Sequence, residues 1–175
     1  MEIAGSNYLY TLAMLGVGFA SVSALIMILR QVMGGAISKF DIMLARNYIG
    51  AGFMIAIDSM LLPLVDLLSP ARPVVWSVAS VVAAIPIAWL AVTYPLQRRA
   101  ITSVRLPLFA MFLDVVLWLV VATLLANAAI PAVQGVGLFA AAITTHLALS
   151  MWTFVRRIGT LLGTQASSDW DPTVA

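Results

Sequence analysis

Four ionisable side chains, Asp58, Asp66, Asp114 and His146, lie inside long apolar runs of this chain. A charge at the centre of a bilayer costs on the order of 3 kcal/mol or more, so an acid or imidazole kept there is a functional suspect. A carboxyl and an imidazole can share or relay a proton, and can hold a cation. Depth sorts them. Counted from the basic ends of their runs, Asp58 and His146 each lie about 15 Å in and Asp114 about 10 Å, by the helical rise. Asp58 and His146 therefore share a level, with Asp114 a turn nearer the basic side. Ser59, Thr144, Thr145 and Ser150 extend a polar track beside them. One reading is a buried acid–imidazole pair on a proton or cation path. The other is structural, since polar side chains knit membrane helices together by hydrogen bonds at about 0.6 kcal/mol each. The structural reading needs no further assumption and is preferred. Asp66, about 27 Å in by the same rise, is close to Arg72 and reads as a surface ion pair.

Other chemistries find little support. The absence of cysteine excludes disulfides, thiolate metal sites and cysteine nucleophiles. A single histidine excludes a His-rich metal site, and bis-histidine haem ligation within one chain. The nine methionines form no tight cluster and read as core filler. There is no Walker motif, no His-Glu-x2-His signature and no Gly-x-Ser-x-Gly elbow. Asp58 with Asp114 lacks the Gly-Asp type of motif that an intramembrane aspartyl protease would carry. The one lysine, Lys39, falls in an expected loop, which rules out a retinal Schiff base within a span. No catalytic residue, metal or cofactor is expected, and the chain is not expected to be an enzyme.

The elements that must position these residues follow from composition. The chain has 175 residues, of which 63% are hydrophobic and 9% charged, and its mean hydropathy is +1.07. Soluble domains carry roughly a quarter charged residues, so the bilayer must be the solvent. A spanning helix needs about 20 apolar residues. Five runs qualify, at 8–29, 48–68, 74–94, 108–129 and 135–155. The expected fold is an all-α membrane bundle of five spans within a single domain, 1–162. The polar tail, 163–175, is expected to be disordered. Residues 1–7 hold Glu2 and no Lys or Arg, so the first run is expected to stay as a span and not to be a cleaved signal. Between the first two runs, Gly34-Gly35 reads as a turn. Beyond it, Ile37, Phe40, Met43 and Leu44 recur at helical spacing. Either 36–46 is a short helix in the headgroup layer, or the second span starts early. Both stay open.

Eight of the nine basic residues fall in alternate gaps. Arg30, Lys39 and Arg46 follow the first run. Arg98, Arg99 and Arg105 follow the third, and Arg156 and Arg157 the fifth; only Arg72 lies on the other side. This is the positive-inside pattern, and it places the N-terminus outside and the C-terminus in the cytoplasm. The same comb accounts for the basic pI near 9.4, so no nucleic-acid partner is expected. Its natural contacts are anionic lipid headgroups.

Small residues mark packing faces. Gly16-x3-Ala20-x3-Ala24 lines the first span and Gly52-x3-Ala56 the second, and such faces let backbones approach closely. Pro63 and Pro86 lie within spans and read as passive kinks. Phe53-x4-Asp58 and Phe109-x4-Asp114 precede the pairs Arg98-Arg99 and Arg156-Arg157 at similar spacing. A parallel repeat would do this, but orientation alone already demands arginines there, so chance is preferred.

Several segments resemble a group of small bacterial inner-membrane proteins without an assigned activity. They are Tyr8-Leu9-Tyr10-Thr11-Leu12-Ala13, Phe19, Ser23-Ala24-Leu25 and Arg30-Gln31, together with Thr93-Tyr94-Pro95 and Arg98-Arg99. The resemblance implies a bacterial inner membrane and carries no site residues. The favoured expectation is a non-enzymatic accessory, assembly or scaffold component that packs on a second copy or on a partner membrane protein. The alternative is a small proton or cation channel or transporter using Asp58, Asp114 and His146.

Overall fold

A computed structural model describes residues 5–32, 38–68, 72–101 and 107–163. Its elements are α1 (Ser6–Val32), α2 (Lys39–Leu68), α3 (Arg72–Ile101), α4 (Leu108–Ala129), a 3-10 turn (Pro131–Val133) and α5 (Val136–Gly163). Among the described residues there is no strand. All five α-helices are long and apolar enough to cross a membrane.

Four helices outrun the spans read from hydropathy, α1 at Ser6–Val32 only slightly and α2, α3 and α5 by more. The segment from Lys39 joins the second span as one 30-residue helix, so no separate headgroup-layer helix precedes it. The reason is a capping box at its start. The Ser38 hydroxyl donates to Asp41 Oδ2 at 2.7 Å, the Ser38 N–H donates to the same oxygen at 3.3 Å, and the Asp41 N–H donates back to Ser38 Oγ at 3.1 Å. Such a reciprocal pair satisfies the orphan donors of a first turn. α3 continues past Tyr94 and Pro95, so Arg98 and Arg99 sit in its last turn. Apolar helices tolerate internal proline when neighbours and local adjustment satisfy the freed carbonyl. α5 runs on to Gly163. The polar tail lies outside the described residues.

Each helix packs on its neighbour in sequence, and α5 returns against α2 and α1 to close the bundle. α3 contributes a face built from Val75, Ala79, Ala83, Ile87 and Ala91, each at most 2% exposed. That i, i+4 stripe of mostly alanine lets α2 and α4 come close on either side. Phe139, Ile143 and Leu147 of α5 meet Ile55 and Leu62 of α2 in the same core. The outer surface carries large apolar side chains such as Met14, Ile85, Trp89 and Val155, a surface suited to lipid and not to water.

α1 and α2 touch backbone to backbone. A Cβ added at Gly16 would lie 2.7 Å from the Gly52 carbonyl oxygen, and one at Gly52 would lie 2.6 Å from that of Gly16 and 2.8 Å from Ala20 Cβ. No larger residue fits either position without separating the helices.

Polar clasps hold the two ends of the bundle. At the arginine-bearing end, Asp41 accepts from Arg30 Nη1 at 2.9 Å and from Arg157 Nη2 at 2.9 Å, joining α1, α2 and α5. Phe19, Tyr48 and Phe154 stack edge to face just inward of it. At the opposite end, the fully buried Asn127 donates to Ser80 Oγ at 2.8 Å and accepts from the Gly135 N–H at 2.9 Å. Ser77 donates to the Ala128 carbonyl at 2.7 Å. These bonds fix α3, α4 and the turn into α5.

Candidate functional site

The three intramembrane candidates do not form one site. Asp58 is 2% exposed and His146 fully buried, both on core-facing sides of α2 and α5. Neither makes a hydrogen bond or ion pair with the other or with any described side chain, and Asp58 Oδ2 and both His146 ring nitrogens are buried without a partner. The hydroxyls expected to link them turn elsewhere. Ser59 donates to the Ile55 carbonyl, Thr144 to Ala140 and Thr145 to Ala141. Each bonds its own helix backbone, and Thr144 also meets the Tyr8 hydroxyl at 2.8 Å. Rise along a helix places residues at one level but leaves open which way each side chain points. Asp66 makes no ion pair among the described residues, and the Arg72 side chain assigned to it lies outside them.

Asp114 belongs to a different place. It lines a cleft of about 360 Å³ between α2, α3, α4 and α5, at the arginine-bearing end. The cleft is graded in polarity. Its outer layer holds Arg98, Arg156 and Arg157 with the rings of Phe40 and Phe109. By position along their helices, Asn47, Tyr94, Asp114, Ser150 and Thr153 come next, with Leu44, Ala110 and Leu113 among them. Innermost are Leu90, Leu117 and Leu149. Leu90 and Leu149 each precede an outer arginine by eight residues, which is about 12 Å of helix.

The arginines are held in place by aromatic rings. The guanidinium carbons of Arg98 and Arg157 lie 5.5 and 5.3 Å from the centroid of the one Phe40 ring. That of Arg156 lies 4.2 Å from the Phe109 ring, which Trp152 braces edge to face at 5.8 Å. A cation over a ring gains roughly 0.5–1 kcal/mol at exposed sites, and its N–H donors stay available. Arg157 already serves Asp41. Among the described residues, no carboxylate pairs with Arg98 or Arg156.

Three buried polar atoms on this one cleft have no hydrogen-bond partner: Arg98 Nε, Asn47 Nδ2 and Asp114 Oδ1. Buried polar groups in folded proteins are bonded in the great majority of cases. Two donors and one acceptor thus stand unbonded in the wall of a single cavity, sealed behind its lining. Among the described residues, no three His, Asp or Glu side chains gather as metal ligands would. Sequence reasoning found Asp114 but treated Arg98 and Arg156 as orientation signals only. It did not reach Asn47, which has no charge or motif to mark it.

Fold and surface together define a class: a multi-pass α-helical bundle of the membrane type, with one graded cleft at its basic end. No protein family, curated protein or solved structure matches this chain.

Proposed function

We propose that this chain is a non-enzymatic accessory protein of a bacterial inner membrane that receives an amphiphilic molecule in the cleft at its cytoplasmic end. The comb of arginines supports the orientation, with the N-terminus outside. The carrying observation is the cleft itself, lined by Arg98, Arg156, Asn47 and Asp114 above an apolar floor of Leu90, Leu117 and Leu149, with unbonded polar atoms of Arg98, Asn47 and Asp114 in its wall. Cavities of roughly 300–1,000 Å³ with a few convergent polar groups on apolar walls are the usual form of small-ligand sites. The test is native mass spectrometry of the full chain released from mild detergent. A bound amphiphile is expected, and its loss on filling the cleft with Leu113→Trp. A chain that carries no adduct and takes up no added amphiphile would refute the reading.

A second reading is favoured by one observation, that Asp58 and His146 are buried and unbonded in the core. It makes the chain a proton or cation path. Flux in proteoliposomes decides it. The accessory role predicts rates equal to those of empty vesicles, whereas the path predicts flux that Asp58→Asn abolishes at unchanged stability.

A further inference from the structure

We propose that the cleft binds a single-chain anionic phospholipid, a glycerophosphate bearing one acyl chain and one free glycerol hydroxyl. The inference rests on the reading of the cleft as an amphiphile site and names its occupant. Four features of the site argue for this molecule.

The first is charge. Three guanidinium groups and one carboxyl line the cleft, and Arg157 is shared with Asp41, so Arg98 and Arg156 face it without a protein counter-ion among the described residues. Arginine forks match phosphate oxygens in geometry and charge. Stacking on Phe40 and Phe109 holds both forks before anything binds, which lowers the ordering cost of binding.

The second is polarity along the membrane normal. Basic groups come first, hydroxyl, amide and carboxyl groups next, and leucines about 12 Å inward of the arginines by helical rise. A lipid of the same leaflet has that sequence: phosphate at the interface, glycerol below it, chain inward. A free phosphate would leave the leucine floor unused.

The third is the pattern of donors and acceptors in the middle layer. Asn47 Nδ2 is an unbonded donor and Asp114 Oδ1 an unbonded acceptor. Once each side chain turns toward the cavity, an ester carbonyl can accept from the first and a hydroxyl donate to the second. In a two-chain phospholipid both glycerol positions below the phosphate are esterified, and no hydroxyl is left to donate there. Removing one chain restores it.

The fourth is size. A cavity of about 360 Å³ has room for a glycerophosphate and part of one chain.

The test uses the full chain in a nonionic detergent, with binding read by native mass spectrometry. The probes are lysophosphatidylglycerol, two-chain phosphatidylglycerol, monoacylglycerol and inorganic phosphate. The single-chain anionic lipid is expected to bind at least about tenfold more tightly than the two-chain one. Arg98→Gln and Arg156→Gln should each weaken it by about ten- to a hundredfold, the scale of one charged hydrogen bond. Asp114→Leu should erase the preference for one chain over two. Arg99→Gln, on an exposed residue outside the cleft, should change nothing, and an unaltered circular dichroism spectrum shows that each variant folds. Equal affinity for one and two chains would overturn the proposal. So would binding of monoacylglycerol as tight as that of the anionic lipid with both arginine variants silent; the amphiphile reading would survive that result. Competition by inorganic phosphate at comparable concentration would assign the site to free phosphate and overturn the lipid. No binding of any amphiphile overturns both readings together.

Discussion

Replacing Asp41 by alanine should loosen the arginine-bearing end of the bundle more than any other single surface-level change. The carboxyl accepts from Ser38 Oγ at 2.7 Å and the Ser38 N–H at 3.3 Å, and from the guanidinium groups of Arg30 and Arg157 at 2.9 Å each. Losing the cap costs about 1 kcal/mol. Losing a hydrogen bond to a charged group costs about 1.5–3 kcal/mol when it is buried. Asp41 is 6% exposed, but Arg30 and Arg157 are 23% and 34% exposed, so water recovers part of that second contribution. The expected loss is about 2–4 kcal/mol for Asp41→Ala, against about 1 kcal/mol for Ser38→Ala, which removes the cap alone. Unfolding of the purified chain by dodecyl sulfate in mixed micelles, followed by helical circular dichroism, measures both. A double-mutant cycle with Arg157→Ala isolates the ion pair and should give a coupling of about 1–2 kcal/mol. If Asp41→Ala falls within about 0.5 kcal/mol of Ser38→Ala, the arginines contribute nothing and the reasoning fails.

Three further outcomes follow from the packing. Gly52→Ala would set a methyl 2.6 Å from the Gly16 carbonyl oxygen and should destabilise by about 1–3 kcal/mol. Gly18→Ala and Gly50→Ala meet nothing within 4 Å and should stabilise by up to about 1 kcal/mol through helix propensity; the same micelle titration reads all three, and equal effects at Gly50 and Gly52 would refute the close approach. Asn127→Leu leaves the Gly135 N–H without its acceptor and should cost about 1–3 kcal/mol, with faster amide exchange at Gly135 as its local sign. Asp58→Leu removes a buried carboxyl that has no partner, so stability should hold or rise by about 1 kcal/mol or more; a loss of that size would reveal an interaction that this packing does not contain.

The five helices were readable because length and hydropathy decide them: a run of about 20 apolar residues has few other fates. The start of α2 was readable in principle. Ser38-x2-Asp41 is a capping signature, but the mixed segment after Gly34-Gly35 fits a short headgroup helix as well as an early start of the second span. Asp41 as a clasp was not readable, because its partner Arg157 lies 116 residues away and local pattern carries no information on that distance. The same limit applies to Asp58 and His146. Helical rise put them at one level, whereas a bond between them also depends on how each helix is rotated and tilted. Arg98 and Arg156 were visible but already explained by orientation, and a residue with one sufficient reason is seldom given a second.

Phe40 links the clasp to the cleft. Its ring lies under Arg157, which holds Asp41, and under Arg98, which faces the cavity. Two like charges over one ring repel, and the Asp41 carboxylate offsets part of that repulsion by pairing with Arg157. The clasp therefore does more than join α1, α2 and α5. It offsets part of the charge of one of the three cations that line the cleft, Arg157, while sharing its own charge with Arg30. Without Asp41, Arg157 would compete with Arg98 for Phe40 and bring more positive charge to the outer layer. An anion in the cleft would then be attracted more strongly but held less specifically. Asp41→Ala should accordingly narrow the preference for one chain over two even where overall lipid affinity rises, a combination that simple loss of fold would not produce.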